Sequence, residues 1–480
     1  MPACLRALLA AALLLAAAPA SAFPAFARQY GTDCTACHEA WPKLNDQGVA
    51  FRDHGYQWGT GADSLASSPP GYWPISFRTT LGAQFTSLDN QQVTAGTEHG
   101  AVEKGPVGAG AAVVTSNGSL LTTVQTARLG FTGVDILIGG VLAPDITFLA
   151  ILEPFLNDAG FAPAGLALTL PASAPGATPG EPGFMQALWV RFDDLFGSGW
   201  LNLKVGRGEL DLPIDEERSL TPITPYAIYH YHPGGPANTL PFELGLYPYQ
   251  VSLEGHDDGS RTRYSISYLQ TDDATGLFTF SSPGAYAHVQ RLFRISDDDR
   301  GLDEIRAGLF GLAGAYPVQV LTIDRAVSAG GSTLSTAIVN QGFFREGADL
   351  TVDLGSLSTP LALEAVWMAG EEAANLVTGG RREALYHGGF IEADWTPRLD
   401  LTFVGRWDAI RNLEQADPLK PANYLDSNFG TVAARYTLAL LARTATTLHA
   451  EISYGRLRGA GYLGNDLDSW LAFGGVDLAF

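Results

Sequence analysis

From about residue 76 to its end, the chain repeats every two residues. Phe77, Thr79, Leu81, Ala83 and Phe85 alternate with Ser76, Arg78, Thr80, Gln84 and Thr86. Leu201, Leu203 and Val205 alternate with Asn202, Lys204 and Gly206, and Tyr264, Ile266 and Tyr268 with Arg263, Ser265 and Ser267. Leu399, Leu401, Phe403 and Trp407 alternate with Asp400, Thr402, Arg406 and Asp408, and Leu448, Ala450, Ile452 and Tyr454 with His449, Glu451 and Ser453. The last residues do the same, Val476, Leu478 and Phe480 against Asp477 and Ala479. A β-strand sends successive side chains to opposite faces, so each run is a strand with one apolar and one polar face.

Which face is buried decides the class. A soluble sandwich hides the apolar face in a core; a transmembrane barrel turns it to lipid and keeps the polar face around a wet lumen. The apolar members include many aromatics, which suit interfacial girdles. Some connections are very short, such as Thr396-Pro397-Arg398, and others long and patternless, such as Asn90 to Ser119 and Pro154 to Gly183. Short turns at one end and long loops at the other are a barrel signature, and the aromatic terminus Phe480 on an alternating last strand agrees with it. Val134 to Leu156 is the most apolar stretch, but Asp135, Pro144, Asp145 and Glu153 interrupt it, so it reads as two strands. No run of apolar residues long enough for a spanning helix follows the leader. The expected fold is all-β, a transmembrane antiparallel barrel of roughly sixteen strands over residues 76–480. A soluble periplasmic β-protein is the alternative.

Residues 1–22 read as a secretory signal: Arg6, an unbroken Ala/Leu stretch from Ala7 to Ala18, and a small-x-small site at Ala20-Ser21-Ala22 before Phe23. Export and a barrel together place the protein in a bacterial outer membrane. The formal charge is −21. Phosphate backbones need a basic footprint, so no nucleic-acid partner is expected.

Of 3 cysteines, Cys4 leaves with the signal. The others stand in Cys34-Thr35-Ala36-Cys37-His38, the C-x-x-C-H attachment sequence of c-type haem. Two thiols three residues apart reach the two vinyl groups of one porphyrin, and the following His offers its imidazole to the iron as proximal ligand. A zinc site would want a second pair, and a thioredoxin-like site a βαβ context. Neither is present in the sequence. Phe26, Tyr30, Trp41, Leu44, Phe51, Tyr56 and Trp58 crowd around the motif as candidate haem cover. Residues 23–75 therefore read as a small monohaem cytochrome segment.

For the distal ligand, His54 in Phe51-Arg52-Asp53-His54 is preferred. The two methionines beyond the leader, Met185 and Met368, are remote in sequence. His230 and His232 are second choices; at alternate positions they would face one way, though a solvated loop beside Pro233 accounts for them too. Asp272-Asp273 and Asp297-Asp298-Asp299 read as acidic loops without calcium-ligand spacing. No catalytic constellation beyond the haem motif is present.

The block Phe26-Ala27-Arg28-Gln29-Tyr30-Gly31, Cys34-Thr35-Ala36-Cys37-His38, Pro42-Lys43-Leu44-Asn45, Phe51-Arg52 and Gly55-Tyr56 resembles the N-terminus of fused outer-membrane monohaem cytochrome–porins. Gly206-Arg207 through Leu210-Asp211-Leu212-Pro213 resembles a strand end of porin-like relatives. The resemblance implies a single covalent haem c plugging a porin-like barrel, and electron transfer; the best-known members are implicated in extracellular iron(II) oxidation. The expected function is a conduit that takes electrons from an extracellular donor such as Fe2+ and passes them to a periplasmic c-type cytochrome, making the chain an electron-transfer cytochrome and, with that donor, an iron(II) oxidase. A solute-transporting porin with a haem-containing plug or redox gate is the alternative.

Overall fold

The computed structural model describes residues 24–59, 74–94, 113–114, 119–131, 134–153, 185–234, 240, 242–257, 259–271, 282–298, 301–325, 332–357, 359–376, 380–441, 444–460 and 464–479. The expected leader 1–22, Phe480, Asp272, Asp273, Asp299 and most of the two long loops named above lie outside the described residues.

The head of the chain is small. Helix α1 (Pro24–Tyr30) leads to a 3-10 turn at Cys34–Ala36, then to β1 (His38–Ala40) and β2 (Lys43–Leu44), which pair, and to helix α2 (Asp46–Asp53). Asn45 caps α2 by accepting a hydrogen bond from the Gly48 amide at 2.9 Å.

The remainder is β3 (Ile75–Thr94), β4 (Val113–Val114), β5 (Ser119–Phe131), β6 (Asp135–Ala143), β7 (Ile146–Leu152), β8 (Met185–Phe192), β9 (Asn202–Arg207), β10 (Tyr249–His256), β11 (Thr262–Gln270), β12 (Pro283–Asp298), β13 (Gly301–Arg325), β14 (Ser332–Leu354), β15 (Leu361–Glu372), β16 (Ala384–Arg398), β17 (Leu401–Glu414), β18 (Ser427–Leu441), β19 (Thr444–Leu457) and β20 (Leu467–Ala479). All neighbours are antiparallel, and β20 pairs β3 to close a barrel. Strands β5 and β6 both pair with β3, Phe131 opposite Leu81 and Asp135 opposite Arg78, so they form one interrupted stave. β4 is a two-residue stub beside β5. Among the described residues the barrel therefore has sixteen staves, as the alternation led us to expect.

Polarity is inverted relative to a soluble protein. On β17, Trp407 is 53% exposed while Arg406 beside it is 4%. Phe85, Ile266, Val432 and Ile452 stand outside; Gln84, Ser265, Thr431 and Glu451 face the interior. A soluble sandwich would bury the first set, so the alternative of a soluble β-protein is set aside and the chain is an outer-membrane barrel. Aromatic pairs mark both rims: Trp395 on Phe403 and Trp200 on Tyr264 near the short turns, Tyr454 on Trp470 near the long loops.

Two local expectations change. The short turn expected at Thr396–Arg398 is still strand: Arg398 pairs with Leu401 across a bulge, and the turn is Leu399–Asp400, so Leu399 is no strand residue. Asp297 and Asp298 end β12 instead of forming a loop.

Connections at one end are short (144–145, 193–201, 257–261, 399–400). In outer-membrane barrels that end faces the periplasm. From the other end, residues 208–248 between β9 and β10 fold inward. Tyr226, Tyr229, Tyr231 and Phe242 of this inner loop join Tyr286, Phe343, Met368, Tyr386 and Phe390 of the wall in one buried cluster.

Candidate functional site

The N-terminal segment sits inside the barrel at the short-turn mouth, fixed by contacts spread around the wall. Arg28 donates to the Ile75 carbonyl at 2.7 Å, at the start of β3. Thr147 donates to the Gly55 carbonyl, and Gln57 donates to Thr147 at 3.1 Å. Arg191 on β8 donates to the carbonyls of Arg52 and Asp53 at 2.8 and 2.6 Å. Lys43 pairs with Asp394 at 2.6 Å and Glu364 at 2.9 Å on the far wall, and Asp46 with Arg306 at 2.8 Å. Burial works against the Lys43 ammonium, but Asp394 and Glu364 hold its pKa well above the usual value, so it stays charged.

Cys34 and Cys37 lie on the single 3-10 turn and are not disulfide-bonded. That turn is fastened to α2. Asn45 donates its backbone N–H to the Cys37 carbonyl at 3.0 Å and its side-chain amide to the Ala36 carbonyl at 3.2 Å. Gly48 packs so closely that a Cβ there would lie 2.1 Å from the Cys37 oxygen. His38 follows, its Nδ1–H donating to the carbonyls of Pro42 at 3.0 Å and Lys43 at 3.3 Å, with its ring beside Trp41. A carbonyl on Nδ1 fixes the tautomer that leaves the Nε2 lone pair for a metal, the usual support of an iron-ligating His. Burial lowers the His38 pKa to about 4 and keeps the ring neutral.

These groups open on one cavity with about 1180 Å³ of space free of atoms, part of it continuous with solvent. From the N-terminal segment it is lined by Phe26, Tyr30, Cys34, Cys37, His38, Trp41, Leu44, Phe51, Tyr56 and Trp58. Phe26 stacks on Tyr56 at 4.9 Å, and Phe51 on Trp58 at 4.6 Å. The opposite side is barrel wall and inner loop: Leu137, Leu149, Ile151, Ala479 and Arg78 from strands, Glu209, Glu217 and Arg218 from the loop. Arg78 pairs with Asp135 at 2.5 Å and Glu217 at 2.8 Å.

Sequence reasoning did not assign these wall residues. Their signal was the unusual apolarity of Val134 to Leu156: Leu137, Leu149 and Ile151 point inward, where a porin wall is ordinarily polar.

The residue set fits a c-type haem. Two thiols share one turn, one imidazole has its Nε2 bonded to no described residue, and apolar and aromatic groups from both segment and wall enclose the space. A thiol–disulfide role fits less well. Burial pushes the Cys34 thiol up to about 11 and also raises Cys37, the reverse of the lowered thiolate that redox pairs use. Among the described residues one group of three acidic side chains is close enough to share a metal ion, Glu364, Glu392 and Asp394, and the Lys43 ammonium already sits against it.

His54 is not in the cavity lining. It ends α2, its Nδ1–H donates to the Ala50 carbonyl at 2.7 Å, and its ring lies 4.4 Å from that of His256 on β10. Met368 is buried in the inner-loop cluster. His230 and His232 are not in a solvated loop. His230 bridges Glu216 (2.8 Å) and Glu243 (2.5 Å), and His232 reaches Glu243 at 2.6 Å. They do face one way, toward a single carboxylate.

No protein-family model matches the chain, and no curated protein matches it in sequence. Among solved structures it is similar to OmpT, an outer membrane protein of Vibrio cholerae, at 9% identity, covering 85% of this chain and 97% of that one with a TM-score of 0.43. It is also similar to an anion-selective porin from Comamonas acidovorans, at 11% identity, 85% and 99% coverage and a TM-score of 0.42. The outer membrane channel DcaP of Acinetobacter baumannii is 12% identical over 84% and 96%, with a TM-score of 0.39.

Proposed function

We propose that this chain is a monohaem cytochrome held in an outer-membrane barrel, a fused cytochrome–porin, with haem c bonded to Cys34 and Cys37 and His38 as proximal ligand. The observation that carries the reading is the cavity itself: C-x-x-C-H opens into an aromatic space that the barrel wall helps enclose. A haem bound there supplies a one-electron carrier whose potential depends on ligation and burial. The chain's own residues hold the two thioether positions, orient the imidazole and exclude water. An extracellular donor such as Fe2+, oxidised to Fe3+, would give the electron that a periplasmic c-type cytochrome takes up. The short-turn mouth, where the segment sits, favours contact with that acceptor.

Covalent haem staining of outer-membrane fractions tests this. Stain is expected at the size of the mature chain and is lost in Cys34→Ala. Absence of stain, or its persistence in that variant, sinks the reading. Spectroelectrochemical titration of the purified protein with Fe2+ then decides whether iron is a donor.

Solute passage is the second reading, favoured by a charged space between plug, inner loop and wall, about 1420 Å³ free of atoms and in part continuous with solvent, lined by Arg78, Asp135, Glu216, His230, Arg435 and Asp477 among others. Conductance in planar bilayers that responds to reduction of the haem would support a gated pore.

A further inference from the structure

Helix α2 and strand β10 meet at one corner of the short-turn mouth, and each brings a histidine. His54 caps α2 and His256 ends β10. Their ring centres lie 4.4 Å apart, with the planes inclined by 53°. Backbone carbonyls orient both rings. His54 Nδ1–H donates to the Ala50 carbonyl at 2.7 Å, and His256 Nδ1–H to the Asp257 carbonyl at 2.9 Å. A carbonyl only accepts, so each neutral ring carries its proton on Nδ1 and offers the Nε2 lone pair elsewhere. Neither Nε2 has a partner among the described residues.

This is how metal-binding histidines are supported, with the second ring nitrogen held by a carbonyl. The spacing agrees. With metal–nitrogen bonds of about 2.0–2.1 Å, two imidazoles at adjacent coordination positions set their ring centres roughly 4.5–5 Å apart. A carboxylate stands beside the pair. A Cβ on Gly199, in the turn between β8 and β9, would lie 3.3 Å from His256 Cε1, the atom next to Nε2, and 3.6 Å from Asp194 Oδ1. Asp194 is exposed, and its carboxylate accepts no hydrogen bond among the described residues. The neighbouring cations are already matched. Arg191 pairs with Asp193 at 2.8 Å and lies 3.5 Å from Glu254, which Lys204 reaches at 2.8 Å. No excess positive charge therefore opposes a cation at this corner.

We propose that His54 and His256 together bind one nitrogen-preferring first-row metal ion, Cu2+ most tightly and Zn2+ next, with water completing the coordination and Asp194 offsetting the charge. His54 belongs to the N-terminal segment and His256 to the wall, so the ion staples one to the other. Hard cations such as Ca2+ and Mg2+ want oxygen ligands and gain nothing from two imidazoles. The inference does not use the haem.

The test uses the untagged, full-length mature protein in detergent, first freed of metal by a chelator. Titration with Cu2+ should give one tight equivalent whose electron paramagnetic resonance shows coupling to two imidazole nitrogens. His54→Gln and His256→Gln should each weaken it at least about tenfold, with heat-modifiable mobility unchanged as the sign of a folded barrel. Zn2+ should protect residues 24–59 from protease, and Ca2+ should not. The proposal is overturned by the lack of a tight equivalent, by wild-type affinity in either variant, or by equal protection from Ca2+. A changed haem absorption spectrum in His54→Gln also overturns it, because His54 would then serve the iron. A chain without covalent haem stain that still binds Cu2+ in this way supports the site and sinks the haem reading, so the two failures are distinguishable.

Discussion

At the residue scale, His230 does work that its sequence context concealed. Burial alone would lower its pKa; Glu216 and Glu243, one on each ring nitrogen, hold it well above the ordinary value. Burial would raise Glu243, but the two imidazoles hold it low. Because the folded-state pKa of His230 is raised, its contribution is fully present below its unfolded value of about 6.5 and is lost as pH rises through the raised folded value. Protection factors within residues 208–248, which are exchange rates corrected for the intrinsic base-catalysed rate, should therefore be lower at pH 10 than at pH 6. Replacing His230 by Asn leaves Glu216 without its imidazole and Glu243 with His232 alone, and should cost about 1–3 kcal/mol, read as a lower melting point of the inner loop by limited proteolysis. Equal protection factors at both pH values would remove the clamp from consideration.

At the scale of elements, the N-terminal segment depends on the fit of α2 against the cysteine turn. A methyl group at Gly48 would collide with the Cys37 oxygen, so Gly48→Ala forces α2 outward and breaks the Asn45–Cys37 bond. A cost of about 1–3 kcal/mol is expected for such overpacking. The measurable outcome is less covalent haem per barrel, with the barrel's heat-modifiable mobility on gels unchanged. Lys43→Met strands Glu364 and Asp394 and should loosen the same segment, seen as proteolysis between residues 24 and 59 at protease levels that spare the wild type. The local parts of this arrangement were visible in sequence: Cys34, Cys37, His38 and the aromatics from Phe26 to Trp58 lie within one short window. The strands were visible too, because a two-residue period needs no partner to be seen. What the sequence hid was long-range. Ala479 and Leu149 reach the cavity only through barrel closure, and the inner loop carries no periodicity to announce that it turns inward.

At the scale of the whole molecule, the barrel strands supply one wall of the cavity in which the haem is proposed to bind. Leu149→Asn or Ile151→Asn should admit water to the haem and lower its midpoint potential, measured by spectroelectrochemistry, since exposure favours the more charged oxidised state. The outer face obeys a different rule. Trp407→Arg presents a charge to lipid and should cost up to about 2–4 kcal/mol of barrel stability, less if Trp407 lies near an interface, without shifting the haem potential.

The meeting of Cys34 and Trp41 with Ala445 and Ala479 carries a consequence for manufacture. The first and last parts of the chain share one apolar contact, beside the seam where β20 joins β3. In the proposed holoprotein the porphyrin would lie beside that seam, so bonding it to the thiols before the barrel closes is the expected order. On that order an assembly factor would receive a chain whose leading end already carries its cofactor, and cells lacking the haem-ligating machinery should accumulate degraded chains instead of vacant barrels, a difference that immunoblots of outer-membrane fractions would read.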